Sequence, residues 1–252
     1  MTSNLKSFKD LHSGKRCFIL GNGPSLKDMD LSLLSNEICL VVNWFPLTTQ
    51  CKLLNNFYYC ISDQHFWNYG DGMHHELLEI IRCNSFSHLF IESSAHKHIE
   101  SALISSETIS KISYLNYSRE LLMWENNFQP NIELPLAWGR TVILDFCVPV
   151  AQYMGFSEIY LIGCDCDYKL DEKSDFSKSY FFPATLLPKD DLKHLERQRD
   201  VKGSFSKHHE WFASYEVAWE YLSNQNIIFK NATVGGMLNS IPRVDFRALF
   251  KA

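Results

Sequence analysis

The residues best suited to chemistry form a glycine-rich loop close to the start of the chain. An apolar run over residues 17–20 leads directly into Gly21-Asn22-Gly23-Pro24-Ser25. Glycine adopts backbone angles that other residues avoid, and it lets a ligand approach the main chain. Unpaired N–H groups at the start of a following helix, together with the positive end of its dipole, favour an anion. The loop therefore predicts a site for a nucleotide or a nucleotide-sugar, with a plain tight turn as the alternative.

The loop differs from two common nucleotide-binding motifs. It lacks the Gly-Lys-Ser/Thr end of a Walker A loop, and Leu26 stands where the dinucleotide fingerprint requires its third glycine. Asn22 contributes a side-chain amide that both donates and accepts hydrogen bonds. We expect Asn22 to contact a ribose, a phosphate or a base.

Polar residues also follow the other predicted strands. Asn43 follows a strand at residues 38–42, Asp63 follows a strand at 58–62, and Asp165 lies just beyond a strand at 158–162. The carboxyl ends of parallel strands lie at one edge of a sheet, and ligands of such folds bind there. We therefore expect a single rim lined by Asn22, Asn43, Asp63, Asp165, Asp167 and Asn231.

Asp165 and Asp167 form an Asp-x-Asp pair. Two such carboxylates can hold Mg²⁺ or Mn²⁺, which would bridge a diphosphate. Polar contacts to a sugar, or a simple turn, are the alternatives. Asn43 and Asp63 have an alternative as well, because each could cap the segment that follows it instead of contacting a ligand.

Two histidines, an arginine and a threonine complete the candidates. The imidazole of His208 or His209 titrates close to neutral pH and could take a proton from an acceptor hydroxyl, unless the pair only lies on the surface. Arg140 and Thr141 open an apolar segment predicted to be a helix over residues 141–154. The guanidinium, the hydroxyl and the helix start could bind a phosphate, whereas helix capping by Thr141 is the alternative.

The elements that must position these residues alternate along the chain. Short apolar runs predict strands at residues 17–20, 38–42, 58–62, 89–92, 158–162 and 227–229. Helical segments are predicted at residues 30–34, 74–83, 141–154 and 214–222. This alternation is typical of an α/β protein with a Rossmann-like, doubly wound, mostly parallel sheet. We expect one domain that covers residues 1–252.

Residues 169–207 differ in composition from the rest of the chain. They are dense in charged and loop-forming residues, with the aromatic run Tyr180-Phe181-Phe182 in the middle. Long loops beside a rigid sheet often close over a substrate. The segment predicts a lid insertion, with a solvated insertion as the alternative.

The composition limits which binding partners and which cellular compartment are expected for the protein. The chain has 252 residues and a formal net charge of −5, which predicts no general surface for nucleic acid. Its eight cysteines have no zinc spacing and are expected as free thiols in a reducing cytoplasm. The first residues lack the apolar core of a signal peptide, and no run approaches the ~20 apolar residues that span a bilayer.

Three blocks of sequence resemble known families. The block Gly-Asn-Gly-Pro-Ser-Leu at residues 21–26, the strand that ends at Asn43, and the block from Met154 to Asp165 resemble the bacterial CMP-sialic acid transferases of glycosyltransferase family 42. They are also similar to the DUF115 group, which contains the flagellin-modifying motility accessory factors and the archaeal 6-hydroxymethylpterin diphosphokinases. The blocks at residues 231–238 and 241–246 resemble DUF115 proteins in particular. The matching blocks cover about half of the chain.

The resemblance to the transferases implies a role for each matching position. The loop at residues 21–25 and Asn43 would bind the CMP moiety, and His208 or His209 would be the general base. The residues implied near the donor are Gly139, Arg140, Thr141, Asp165 and Tyr168. We also expect Asp63 and Gly163 to bind the nucleotide or the donor.

The reaction implied by this resemblance is an inverting sugar transfer. A sialic acid or related nonulosonate would pass from a CMP-sugar to a hydroxyl of a glycan or lipid-linked acceptor, in surface polysaccharide or lipooligosaccharide synthesis. No metal would be required, because CMP leaves as a stable anion. The enzyme would be cytoplasmic, with peripheral contact to the inner face of the membrane, and could self-associate.

Three other functions stay open on the sequence. One is a Mg-dependent diphosphokinase of the 6-hydroxymethylpterin type that uses ATP. Another is a metal-dependent UDP- or GDP-sugar transferase, and in both cases Asp165 and Asp167 would be the metal ligands. The last is a non-catalytic nucleotide-binding module.

Overall fold

The computed structural model describes residues 5–68, 73–102, 104–167, 180–188 and 208–251. Within these residues, short apolar segments form strands at the places where the sequence predicts most of them. The strands are β1 (Arg16–Leu20), β2 (Ile38–Val42), β3 (Phe57–Ile61), β4 (His88–Glu92), β5 (Ile112–Leu115), β6 (Tyr117–Leu122), β7 (Leu136–Trp138), β8 (Glu158–Ile162) and β9 (Ile228–Asn231).

Seven of these strands form one parallel sheet in the order β5-β4-β3-β2-β1-β8-β9. In register, Phe18 of β1 lies opposite Cys39 of β2 on one side and Tyr160 of β8 on the other. The strand order therefore reverses between β1 and β8. In open α/β sheets this reversal leaves a crevice at the carboxyl ends of the strands, and ligands bind there.

Apolar side chains cover both faces of the sheet, as the doubly wound prediction requires. Phe18 and Leu20 belong to one buried cluster, and Cys17 and Ile19 belong to a second buried cluster on the opposite face. Alternate residues of a strand point to opposite faces, so a strand buried on both sides has to be apolar throughout. The expected Rossmann-like fold class is confirmed.

The helices lie around this sheet. They are α1 (His75–Cys83), α2 (His96–Ser101), α3 (Ser106–Ser110), α4 (Val148–Tyr153) and α5 (His208–Asn224). Helix α1 packs in the first cluster through Leu77 and Ile81, whereas α4 and α5 pack in the second through Val150 and Leu222. Helix α5 begins six residues before the predicted start at position 214, so both candidate histidines lie in its first turn.

The predicted helix over residues 141–154 is not uniform. A π-helical turn, Ile143–Cys147, comes before α4. Pro149 has no N–H to donate to the carbonyl of residue 145, so the regular α-helical ladder is interrupted there. The N–H of Val148 donates to the carbonyl of Ile143 instead. Asp145 lies within this wider turn.

A small parallel sheet of β6 and β7 was not predicted from the sequence. Strand β6 is largely exposed and carries Arg119 and Glu120 in its middle, so it lacks the apolar run that identifies the central strands. The two strands lie beside the crevice and bring Trp138 to its edge.

No helix among the described residues combines the length and the apolar character needed to cross a bilayer. The described cysteines, eight in all, are free thiols.

Candidate active site

A cavity of about 370 Å³ opens at the carboxyl ends of the strands, where β1 and β8 diverge. It brings together most of the residues that the sequence predicts for the site. Those that line it are Gly21, Asn22, Gly23, Pro24, Asn43, Asp63, Arg140, Thr141, Gly163, Asp165 and Asp167.

Some predicted residues lie elsewhere. Ser25 and Gly139 are behind the wall and hold it in place, as described below. Asn231 is fully buried within β9, where its amide bonds to the carbonyl of Leu238 and the N–H of Thr233, so its expected place at the rim is wrong. Tyr168 lies outside the described residues.

The glycine loop packs directly against the loop that follows β8. The N–H of Gly21 donates to the carbonyl of Ile162 at 2.9 Å, and the N–H of Gly23 donates to the carbonyl of Gly163 at 2.9 Å. A β-carbon on Gly21 would overlap the carbonyl oxygen of Gly163. Glycine is therefore required here for close approach of two backbone segments.

Ser25 and Asp165 join the same two loops through side chains. The Ser25 hydroxyl donates to Asp165 Oδ2 at 2.8 Å, and the Ser25 N–H donates to Oδ1 at 3.1 Å. Burial raises the pKa of Asp165, and the hydrogen bonds from Ser25 oppose that rise. Both carboxylate oxygens thus serve the packing of the loops.

These hydrogen bonds limit the backbone donors that the predicted phosphate site could use. The loop leads into a single 3₁₀ segment, Pro24–Asp28, rather than a longer helix. Pro24 has no N–H, and the N–H of Ser25 is bound to Asp165. The start of this segment therefore does not present the row of free donors that an anion would need.

The Asp-x-Asp pair is divided between two environments. Asp165 is 8% exposed and bound to Ser25, whereas Asp167 is exposed. Cys166 between them has a left-handed backbone with φ of 50°. In the part of the chain that is described, no three His, Cys, Asp or Glu side chains cluster as metal ligands would.

Two asparagines that line the cavity have side-chain oxygens that are buried without a hydrogen-bond partner. The side-chain N–H of Asn22 donates to the carbonyl of Val42 at 3.2 Å, but its Oδ1 is buried without a partner. Oδ1 of Asn43 is also buried without a partner, and its left-handed backbone (φ 50°) is held by a bond from the Tyr59 hydroxyl to its carbonyl. A buried acceptor without a donor is costly, so a donor on a ligand would be favoured at each oxygen.

Asp63 and Thr141 each cap the segment that follows, which was one of the two alternatives that the sequence offered for them. Oδ1 of Asp63 caps a 3₁₀ turn by accepting from the N–H of His65, and it lies 3.0 Å from the His65 ring nitrogen Nδ1. Oγ1 of Thr141 caps the next turn by accepting from the N–H of Leu144 at 3.3 Å. Both residues also line the cavity.

Arg140 is held at the mouth of the cavity by aromatic rings and a carboxylate. Its guanidinium carbon lies 4.5 Å from the ring centre of Trp138 and 4.8 Å from that of Trp124, within the range of cation–π attraction. Its Nε pairs with the carboxylate of Glu210 in the first turn of α5. The residue has φ of 68°, an unusual backbone for a non-glycine residue, which fixes its direction away from the helix that follows.

Arg119 of β6 also lies over the Trp138 ring. Its guanidinium carbon lies 5.4 Å from the ring centre of Trp138, and its Nη2 contacts the Tyr117 hydroxyl at 3.5 Å. Two guanidinium groups therefore lie close to Trp138 at the cavity, although the chain as a whole is acidic. Sequence reasoning missed Arg119 because it lies in an unpredicted strand.

Asp145 is a second residue that the sequence analysis missed. It is 4% exposed and lies at the inner wall of the cavity, where its Oδ1 accepts from the N–H of Gly139 at 2.7 Å. Its Oδ2 accepts from the Ser62 hydroxyl at 3.2 Å. Burial raises the pKa of Asp145 to about 7, against the lowering effect of these bonds. The available signal was a single charge inside the apolar run of residues 142–151.

Helix α5 closes one end of the cavity with aromatic side chains. Trp211 and Tyr215 are buried and line the cavity. His209 is exposed and is not brought to the wall. Position 208 precedes Trp211 by three residues and Tyr215 by seven, so these positions share one face of the helix.

The expected lid at residues 169–207 is described only at residues 180–188, and the rest lies outside the described residues. The N–H of Phe181 donates to the carbonyl of Asn22 at 3.1 Å, and the Phe181 and Phe182 side chains are buried in the core. Tyr180 lines the cavity and stacks on Phe182 at 5.2 Å between ring centres. This part of the insertion is thus fastened to the glycine loop.

Sequence comparison identifies no relative of this chain. No protein-family model matches it, so the resemblance to the DUF115 group stays a prediction. No curated protein matches it significantly either.

Structure comparison does find similar proteins. A variant of the sialyltransferase Cst-II in complex with CMP has a TM-score of 0.52 and 17% identity, with 91% of this chain and 86% of that chain covered. Cst-II of Campylobacter jejuni with a trisaccharide acceptor and CMP has a TM-score of 0.50 and 18% identity, with 90% and 85% covered. The monofunctional alpha-2,3-sialyltransferase Cst-I of the same organism has a TM-score of 0.50 and 17% identity, with 91% and 80% covered. The chain is therefore similar in fold to these bacterial sialyltransferases.

Proposed function

We propose that this chain is an inverting glycosyltransferase that moves a sialic acid or a related nonulosonate from a CMP-sugar to a hydroxyl of a glycan or glycoconjugate. The observation that carries the proposal is the pair of buried, unbonded amide oxygens of Asn22 and Asn43 at the β1–β8 crevice. The similar fold of Cst-II, crystallised with CMP, supports the same choice of nucleotide.

The nucleoside would occupy the part of the cavity beside the two asparagines. Each amide oxygen accepts a hydrogen bond, so each suits a ribose hydroxyl or the exocyclic amino group of cytosine. A uracil offers no amino group at that position of the ring. If either amide oxygen contacts the base, it therefore favours cytidine over uridine.

The anionic part of the donor would lie toward Arg140 and Arg119. A guanidinium presents several N–H donors in one plane and binds a carboxylate or phosphate through two of them. A CMP-nonulosonate carries both a phosphate and a sugar carboxylate. The phosphate of the departing CMP would be stabilised by these donors, with less need for a metal than a diphosphate has.

The general base in this proposal is His208 rather than His209. Position 208 shares a helix face with Trp211 and Tyr215, which line the cavity, whereas His209 is exposed. The imidazole would accept the proton of the acceptor hydroxyl as the oxygen attacks the anomeric carbon. The bond from that carbon to the phosphate oxygen breaks on the opposite face, CMP leaves with the electron pair, and the configuration inverts.

The acceptor would be a glycan or lipid-linked sugar in surface polysaccharide or lipooligosaccharide synthesis. Cst-II has been crystallised with a trisaccharide acceptor and CMP together. In this chain the acceptor would reach the donor past Trp138, which lines the cavity. A lipid-linked acceptor would bring the enzyme to the inner face of the membrane.

The direct test is release of CMP from CMP-N-acetylneuraminic acid and other CMP-nonulosonates, with and without a mixture of glycan acceptors. Each reaction is run in EDTA and in Mg²⁺. Acceptor-dependent release that survives EDTA would support the proposal. Turnover of ATP, UDP-sugar or GDP-sugar only with Mg²⁺ would overturn it in favour of a metal-dependent site at Asp165 and Asp167. Binding of CMP without turnover of any donor would favour a non-catalytic module.

A further inference from the structure

Asp145 and Ser62 form a buried pair at the inner wall of the cavity. Both side chains are about 4% exposed, and both belong to the cavity wall. Oδ1 of Asp145 accepts from the N–H of Gly139 at 2.7 Å, and Oδ2 accepts from the Ser62 hydroxyl at 3.2 Å. The backbone N–H of Arg140 also donates to this carboxylate. The mechanism proposed above uses neither residue.

The bond between Oδ2 and the Ser62 hydroxyl can run in two directions. When Asp145 is ionised it only accepts, so the hydroxyl proton of Ser62 must point at the carboxylate. When Oδ2 carries a proton, Asp145 donates to Ser62 Oγ, and the hydroxyl proton of Ser62 is released toward the cavity. The N–H of Gly139 is a donor in either state, so Oδ1 keeps its bond.

We propose that donor binding protonates Asp145 on Oδ2, which turns the Ser62 hydroxyl into a hydrogen-bond donor for an anionic oxygen of the ligand. The proton comes from solvent and returns to it when the ligand leaves. This inference rests on the proposed function, because it needs an anion such as the CMP phosphate in the cavity. Ser62 would contact the ligand, and Asp145 would be a positioning residue that acts through it.

The charges around Asp145 suit such a switch. The titratable and charged groups that interact with it are Asp63 after β3 and Tyr117 and Arg119 of β6, and the backbone N–H of Arg140 after β7 bonds to it. The Asp63 carboxylate and burial favour the neutral form of Asp145. A bound phosphate adds further negative charge at this wall and shifts the balance toward the protonated form.

Asp145→Asn copies the protonated state. Its amide oxygen can accept from the Gly139 N–H, and its NH₂ group can donate to Ser62 Oγ, with almost the same volume as aspartate. The variant should therefore bind CMP as the protonated wild type does, at every pH. A residue with only a structural role would give weaker binding in this variant at every pH.

The test is calorimetric titration of CMP into the full chain in EDTA, from pH ~7 to pH ~8.5, in buffers that differ in ionisation enthalpy. In this range the CMP phosphate stays largely a dianion because its second pKa is about 6. Wild-type affinity should fall about threefold to tenfold as the pH rises, since one proton can change affinity by at most about tenfold per pH unit. Wild-type binding should take up a fraction of a proton at pH ~7, since burial raises the pKa of Asp145 to about 7.

Asp145→Asn should bind CMP with no fall in affinity over this range and with less proton uptake than wild type. At the highest pH it should bind more tightly than wild type. Ser62→Ala should lose about fivefold or more in affinity at the lowest pH, through loss of one hydrogen bond to a charged group. Equal pH dependence and proton uptake in wild type and Asp145→Asn would overturn the inference. No CMP binding by any of the proteins would instead contradict the proposed function.

Discussion

The cavity has two walls that differ in how their polar groups are used. The glycine rim consists of residues 21–25 and 163–165. Its two segments are joined by backbone hydrogen bonds and by the Ser25–Asp165 pair. The aromatic rim, residues 117–119, 138–145 and the first turn of α5, instead presents stacked guanidinium groups and a carboxyl group. The first wall sets the shape of the site, and the second is where the chemistry is expected.

Substitutions at the two walls should therefore change different properties of the protein. Substitutions on the glycine rim should mainly lower stability. Substitutions on the aromatic rim should mainly lower activity or change its pH dependence. The side chains of Asn22, in the glycine rim, and of Asn43 should instead affect ligand affinity.

The largest expected effect is on turnover. His208→Ala should lower the kcat for transfer about 10³-fold, because a general base typically contributes 10²–10⁴-fold. His209→Ala is the matched control, and it should stay within about twofold of wild type because His209 is exposed. Steady-state kinetics with a CMP-nonulosonate measures both, and a large loss in His209→Ala alone would reverse the assignment.

On the glycine rim, Gly21→Ala should lower the free energy of unfolding by about 3 kcal/mol, because the added β-carbon meets backbone that cannot rotate away. Thermal unfolding should show a fall in Tm of about 6–12 °C. Gly14→Ala is a control with a left-handed backbone but open space around the β-carbon, and it should cost only about 1 kcal/mol. Equal costs at the two positions would mean that the loops are not tightly packed.

On the aromatic rim, Asp145→Asn should stabilise the folded protein at pH ~8 by about 2 kcal/mol, as the buried charge is removed. The folded pKa of Asp145 is raised to about 7, above its ordinary value of 3.8. The stability that the neutral Asp145 carboxyl group contributes is therefore fully present below the ordinary pKa, and it is lost as the pH rises through the folded pKa. Chemical denaturation should show the gain at pH ~8 and none at pH ~4. A variant that is less stable than wild type at pH ~8 would contradict the raised pKa.

The smallest effect concerns the nucleoside. Asn43→Gly should weaken CMP binding about tenfold while the Tm changes little, because glycine keeps the left-handed backbone and removes only the amide. Asn126→Gly is a matched control at an exposed left-handed position outside the cavity, and its CMP affinity should equal that of wild type. Titration calorimetry measures both, and unchanged affinity in Asn43→Gly would remove Asn43 from the site.

The glycine rim and residues 139–141 of the aromatic rim could be predicted from the sequence, whereas Arg119, Trp138 and Asp145 could not. Apolar strands that end in Asn43 or Asp63 leave a clear local pattern, because central parallel strands are buried on both faces. Strand β6 has no such pattern, so Arg119 was not predicted. Asp145 reaches the cavity through a π-helical turn before Pro149, and helical periodicity does not capture a change of turn width.

The sequence also did not show how one residue of the glycine loop is bonded. Gly21-Asn22-Gly23-Pro24-Ser25 suggests a phosphate cradle, but Ser25 is bound to Asp165, a residue far away in the chain. Local patterns show which backbone groups have no hydrogen-bond partner within a loop. They do not show which of these groups a distant side chain will occupy in the fold.

The central claim is that the β1–β8 crevice binds the CMP moiety of a nucleotide-sugar without help from a metal. Titration of CMP, UMP and ATP into the wild-type chain, each in EDTA and in Mg²⁺, tests it most directly. The account predicts that CMP binds equally well in both conditions and at least about tenfold more tightly than UMP, the effect of one hydrogen bond at the base. Binding of ATP alone, and only with Mg²⁺, would contradict it.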